Sequence, residues 1–209
     1  NIAVNDAVLL KGSSKTLLEQ SVDMVYGTRM TDQRLLDEAE FKRVNHQGSV
    51  FNVFGSYATL IHGPKRRKTV HIPAKVSGMR VVNIGVAFTN SQVESVHIPP
   101  SIRHISSGCF KNCTRLSEIN MPRDLRFIGA HAFEGCIRLQ KVDLPNGLLQ
   151  IGKEAFKKCK QMKTLYIPST VVQIGDNAFS ECRNLTILCK ENSYAANWLA
   201  QHNIPFQFL

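Results

Sequence analysis

The sequence predicts an α/β repeat solenoid: a right-handed coil of 23-residue repeats with a parallel sheet on its concave face. Three observations predict it. Pro73, Pro99, Pro122, Pro145 and Pro168 form a column whose last three intervals are all 23 residues. An alternating apolar pattern stands before the prolines, as in "LSEINMP", "LQKVDLP" and "MKTLYIP". Aromatic and thiol residues recur at fixed offsets: Phe88, Phe110, Phe133, Phe156 and Phe179, then Cys113, Cys136, Cys159 and Cys182.

Each column has a physical task. The alternation before the proline reads as a short strand, with Leu116, Ile119 and Met121 inward and Glu118 and Asn120 outward. Stacked coils would pair these strands about 4.8 Å apart. Proline lacks an N–H, so it closes each strand. A second apolar pair follows: Ile102/Ile105, Leu125/Ile128, Leu148/Ile151 and Val171/Ile174. Gly129, Gly152 and Gly175 come next, where a turn needs positive φ or a close backbone approach; Ser106 breaks that column. The phenylalanines fill the coil, since each ring buries on the order of 150–250 Å². Cys109 stands in the column of Ala132, Ala155 and Ala178 and reads as core.

A period of 20–29 residues is that of leucine-rich-repeat solenoids. The pattern L-x-x-I-x-I-P-x-x-V-x-x-I-G-x-x-A-F-x-x-C, carried by residues 96–187, resembles the BspA-like leucine-rich repeats, also called the Treponema pallidum type. An irregular first coil starts at 70: "VHIPAKVSGMRVVNIGVAF" holds extra residues around Ser77–Met79 and resembles an opening coil of such proteins. The tail "LCKENSYAANWLAQHNIPFQFL" resembles their closing segment. The resemblance covers about two thirds of the chain. It implies a solenoid used for protein or surface binding, frequently at a bacterial cell surface, and no catalysis.

The expected divisions are an N-terminal helical extension or cap over 1–47, a hairpin cap over 48–69, five coils over 70–187, and a helix–strand cap over 188–209. Residues 14–26 and 31–43 read as helices, the first with Leu17, Leu18, Val22 and Val25 on one face. "SVFNVFGSYATLIHGPKRRKTVHIP" reads as strand, turn, strand, turn, strand. Asn192 or Ser193 can cap a helix to about His202 with Tyr194, Ala195, Trp198 and Leu199 as its stripe, and 204–209 can add a last strand.

The net charge of +10 is uneven. Residues 1–47 carry 6 basic and 7 acidic side chains, 48–95 carry 6 and 1, and 96–189 carry 13 and 7. The basic character belongs to the repeats and favours an acidic partner or a soluble surface. No apolar run approaches the roughly 18–20 residues that cross a bilayer. The first residues, "NIAVNDAVLLKGSS", show no signal peptide, and the missing initiator Met points to a processed or trimmed chain, which leaves room for a removed signal. An extracellular or cell-surface location is expected, with the cytoplasm not excluded.

The outward strand columns are the expected partner-binding face: His71, His97, Asn120, Asp143, Tyr166 and Cys189 in one, Ser95, Glu118, Lys141 and Thr164 in the other. A ligand set spread over rungs lacks the convergence of a metal site, so no metal or cofactor is expected. A basic edge runs beside the strands: Lys111, Arg115, Arg138, Lys157, Lys158, Lys160, Lys163 and Arg183, with "KRRK" at 65–68 as a solvated hairpin tip. It could track sulfated glycans or phosphates, but exposed aromatics are too few for nucleic acid. The cysteine ladder reads as buried free thiols, because parallel side chains strain the disulfide torsion. Cys189, in an outward position, reads as the reactive thiol. "GSSKT" lacks the phosphate-loop frame, and no nucleophile elbow, zinc-protease motif or carboxylate pair stands out, so no enzyme is expected. The sequons at Asn112 and Asn184 abut core residues. The reading is a non-enzymatic module binding a protein or extracellular matrix ligand through the concave sheet, with anionic polymer binding at the basic edge as the alternative.

Overall fold

The computed structural model describes residues 41–209. The helix expected at 14–26 lies outside them, as does the one at 31–43 except for its end, which is strand instead. Strand β1 (Lys42–His46) pairs antiparallel with β2 (Ser49–Val53) through a two-residue turn, Gln47–Gly48. Both turn residues have positive φ, 50° and 82°, the backbone that matches the twist of a hairpin. Strand β3 (Tyr57–His62) adds antiparallel to β2, and β4 (Thr69–His71) follows the exposed "KRRK" turn. The extra residues of the first coil form a second tight hairpin, β5 (Lys75–Val76) to β6 (Met79–Ile84), turning at Ser77 and Gly78 with φ of 50° and 80°.

From here the coils repeat, and most supply two strands rather than one. The strands before the prolines are β7 (Ser95–His97), β9 (Glu118–Ile119) and β12 (Thr164–Ile167), and β14 (Thr186–Cys189) takes the same place in the last coil, which has no proline. They make two parallel three-stranded sheets, β4-β7-β9 and β12-β14-β15, where β15 is Phe206–Phe208. A single parallel bridge, Lys141 to Thr164, ties the intervening coil to β12. The second apolar pair also forms strands: β8 (His104–Ile105), β10 (Phe127–Ile128), β11 (Gln150–Ile151) and β13 (Gln173–Ile174). With β6 they continue the hairpin sheet as β1-β2-β3-β6-β8-β10-β11-β13. Alternation is hard to see in two residues, but Ile105, Ile128, Ile151 and Ile174 pair rung to rung with their side chains buried.

The third side of each coil is a hydrogen-bonded turn. Phe110, Phe133 and Phe156 donate their N–H to the carbonyls of Ala132, Ala155 and Ala178 in the next coil, at 2.7–2.8 Å. That spacing stacks the rings: Phe88, Phe110, Phe133 and Phe156 lie 5.1–5.2 Å apart with planes within 7°. Phe179 stands 6.1 Å from Phe156, and Trp198 meets it edge-on at 82°. Trp198 belongs to α1 (Tyr194–Gln201), capped by the Ser193 hydroxyl on the Ala196 N–H. Ala195, Ala196, Trp198 and Leu199 face the core, while Tyr194 of the expected stripe is 39% exposed.

The glycine column answers to close approach rather than to positive φ. A Cβ on Gly129, Gly152 or Gly175 would meet the backbone nitrogen of Ser107, Ala130 or Lys153 in the preceding coil. Gly152→Ala is therefore expected to cost about 1–3 kcal/mol. Gly55→Ala, where an added Cβ meets nothing within 4 Å, should stay within about 0.5 kcal/mol of the parent. Urea unfolding of both variants beside the parent checks the contrast.

The cysteine column is a hydrogen-bonded ladder. Cys113, Cys136, Cys159 and Cys182 donate S–H to the carbonyls of Phe88, Phe110, Phe133 and Phe156, one coil back, at 3.0–3.3 Å. Burial pushes the Cys113 thiol up to about 12 and Cys182 to about 11, with Cys109, Cys136 and Cys159 also driven well up. A thiol raised in the folded chain holds its proton more tightly there than when unfolded. Its stabilisation is whole below the unfolded value of about 8.5 and is lost as pH rises towards the folded value. Urea midpoints should be level from neutral pH to about 8.5 and fall above it, with a shallower fall in Cys136→Ala.

Candidate binding face

The pre-proline strands bring the outward column together in two groups. Val96 pairs with both Val70 and Ile119 and points inward, so its neighbours Ser95 and His97 point out. His71 and His97 are register partners, both exposed, with rings stacked at 4.2 Å and 11°. Ser95 pairs with Glu118. Asn120 is bound into the backbone: its Oδ1 accepts from the Ile98 N–H at 2.7 Å and its Nδ2 donates to the Ile98 carbonyl at 2.8 Å. The side-chain amide thus replaces the strand pairing that β9 lacks beyond Ile119. Asn120→Ala should cost about 1–2 kcal/mol for two hydrogen bonds, and Asn120→Asp, which turns a carboxylate oxygen towards the Ile98 carbonyl, should cost at least as much; thermal unfolding of the pair reads this. Lys141 and Asp143 form an exposed ion pair at 2.8 Å. Thr164 and Tyr166 lie on β12, with Thr164 opposite Thr186 and Tyr166 opposite Leu188.

Cys189 does not belong to this column. It pairs with Ile167, an inward position, and is fully buried, with burial pushing its thiol up. The last coil is one residue short. Two residues, Lys163 and Thr164, separate Met162 from Leu165, whereas Thr186 alone separates Leu185 from Ile187. A one-residue slip turns every following side chain to the other face of a strand. Counting 23 from Tyr166 overlooks that missing residue.

The basic edge divides. Lys111 pairs with Glu134 at 2.8 Å, Lys157 with Glu154 at 2.9 Å, and Lys158 with Glu181 at 3.8 Å. Arg115, Arg138, Lys160, Lys163 and Arg183 are exposed, with no ion pair among the described residues.

Between the paired cations lies a group the sequence reading missed. His131 Nδ1 is 2.8 Å from Glu134 Oε2 and 3.5 Å from Glu154 Oε2. Burial acts to raise the Glu134 carboxyl, but hydrogen bonds from Lys111 and His131 outweigh it and hold it below the usual range. The hydrogen bond from Lys157 lowers Glu154, and Lys157 rises in return. One ligand atom from each of His131, Glu134 and Glu154 lies within 4.8 Å of the others, a spacing open to a metal ion. The ammonium groups of Lys111 and Lys157 already hold the same Oε2 oxygens, so the two carboxylates are neutralised in place. The signal was present in the sequence: Lys111, Glu134 and Lys157 sit 23 apart and alternate in sign.

A shallow open groove of about 560 Å³ lies beside β12 and β14, lined by Gln140, Gln161, Lys163, Thr164, Asn184 and Thr186. Only Lys163 and Thr164 were expected in a site.

A parallel coil of short strands, closed by prolines and filled by one stacked aromatic column, defines a leucine-rich-repeat solenoid. The chain belongs to the BspA-type leucine-rich repeat family, whose sequence profile matches six copies over residues 85–195. Among solved structures, the chain is similar to the T. pallidum leucine-rich repeat protein, with 28% identity, a TM-score of 0.63, and coverage of 71% of this chain and 68% of that one. It is similar to a Bacteroides ovatus leucine-rich repeat protein at 33% identity and a TM-score of 0.56, over 71% of this chain but only 38% of that one. A leucine-rich cell surface protein from Faecalibacterium prausnitzii shares the fold at 24% identity and a TM-score of 0.51, over 71% and 54% of the two chains. No curated protein matches the chain. Proteins of this family are typically interaction or surface proteins, and among the described residues no helix is long and apolar enough to cross a membrane.

Proposed function

We propose that the chain is a non-enzymatic interaction module, exported or displayed at a cell surface, that binds a protein or extracellular matrix ligand through its pre-proline strands. The observation that carries this reading is the outward face itself. On fixed inward rungs it sets two stacked imidazoles, an exposed lysine–aspartate pair and a half-buried tyrosine, residues whose types change from coil to coil. Solenoids commonly offer such variable rows to extended partners. The cell-surface description of the F. prausnitzii relative supports the location.

The test is capture of the purified chain on immobilised matrix proteins, comparing the parent with a His97→Ala, Asp143→Lys, Tyr166→Ala triple variant that keeps Asn120. Binding should fall at least about tenfold, the worth of roughly 1.4 kcal/mol, with the thermal midpoint unchanged. Unchanged capture by the folded variant overturns the reading. Capture that falls steeply with salt, and falls further when Arg115, Arg138 and Arg183 are neutralised, moves the contact to the basic edge, since each phosphate-like contact contributes a log–log slope of about −0.9 on a duplex polyanion.

A further inference from the structure

We infer that the groove beside β12 and β14 is a binding site for a saccharide that carries a carboxylate. Its position follows from the shortened coil. Where Lys163 and Thr164 stand on one rung, the next rung supplies Thr186 alone, so the column of Lys163 has no member on that rung. The space left is about 560 Å³, within the roughly 300–1,000 Å³ of small-molecule sites.

The lining chemistry selects the ligand. Thr164 and Thr186 are register partners, so their two side chains sit side by side on neighbouring strands and each brings a hydroxyl to the groove. The Gln140 Nε2 donates to Gln161 Oε1 at 3.3 Å, which fixes the two amides against each other and leaves Gln140 Oε1 to accept and Gln161 Nε2 to donate. Asn184 Nδ2 reaches the Lys160 carbonyl at 3.5 Å, leaving its Oδ1 open. This mix of donors and acceptors suits the hydroxyls of a sugar ring, each of which both donates and accepts. Lys163 has no ion pair among the described residues, and no carboxylate lines the groove. A single negative group therefore finds one unpaired ammonium and no repulsion. Tyr166 lies two residues beyond Thr164 on the same strand face, where its ring can border a bound sugar. Nothing in this argument rests on the protein-binding reading.

The experiment is an NMR titration of the ¹⁵N-labelled chain with sodium D-glucuronate, D-glucose and sodium acetate at constant ionic strength. Glucuronate should shift the backbone amides of Lys163, Thr164 and Thr186 and the side-chain amides of Gln161 and Asn184. Glucose should shift the same set about tenfold more weakly, the worth of one charge-assisted hydrogen bond, and acetate should shift none. Lys163→Gln should bring glucuronate down to the level of glucose, and Thr186→Val should weaken both sugars with the parent spectrum otherwise retained. Acetate matching glucuronate would reduce the site to a plain anion contact and overturn the inference. So would equal binding of glucose and glucuronate, or shifts that avoid the groove.

Discussion

The rest of the structure depends on the rung-to-rung hydrogen bond. Each coil gives its N–H groups to the carbonyls of a neighbouring coil, and that spacing leaves equivalent residues one strand separation apart. At this distance only certain side chains fit on themselves. Phenylalanine does, because flat rings stack in parallel at 5.1–5.2 Å. Cysteine does, because a small thiol can both fill the gap and donate to the carbonyl one coil back. Glycine does where two backbones run too close for a Cβ. The repeat in the sequence is thus a record of self-complementarity at a fixed distance.

The same constraint acts on the surface, with a different solution. Like charges cannot stack on adjacent rungs without repulsion. The column of Lys111, Glu134 and Lys157 alternates in sign, and His131 and Glu154 run beside it, so the rungs are tied by ion pairs outside as well as by rings inside. With Lys158, which pairs with Glu181, this occupies three of the eight cations of the basic edge. The cations left exposed are concentrated at Arg115, Arg138, Lys160, Lys163 and Arg183.

Much of this was legible in the sequence, and the losses have physical causes. Proline, phenylalanine and cysteine columns are readable because each residue type is nearly irreplaceable at its offset. The post-proline strands were seen only as an apolar pair, since two residues are too few to display alternation. Two left-handed positions recur in each turn: Gly108, His131, Glu154 and Asn177 share φ of 53–67°, and Asn112, Gly135, Lys158 and Glu181 share 58–74°. Glycine and asparagine in those columns hint at that backbone, but His131 and Glu154 hide it, because the neighbouring rungs impose it on residues that would not choose it. Of the candidate face, the outward residues from His71 to Tyr166 were legible by alternation. The groove and the fate of Cys189 were not, because both follow from one residue missing near Thr186.

The aromatic column also has a direction. From Phe88 to Phe156 every ring presents a flat face to the next, so one more coil could be inserted there and meet the surface it expects. After Phe179 the indole of Trp198 stands across the axis at 82°, and a new ring added beyond it would find an edge. Lengthening by duplication is therefore confined to the interior of the array. Relatives of different length should vary in how many middle coils they hold while keeping the same terminal aromatic pair.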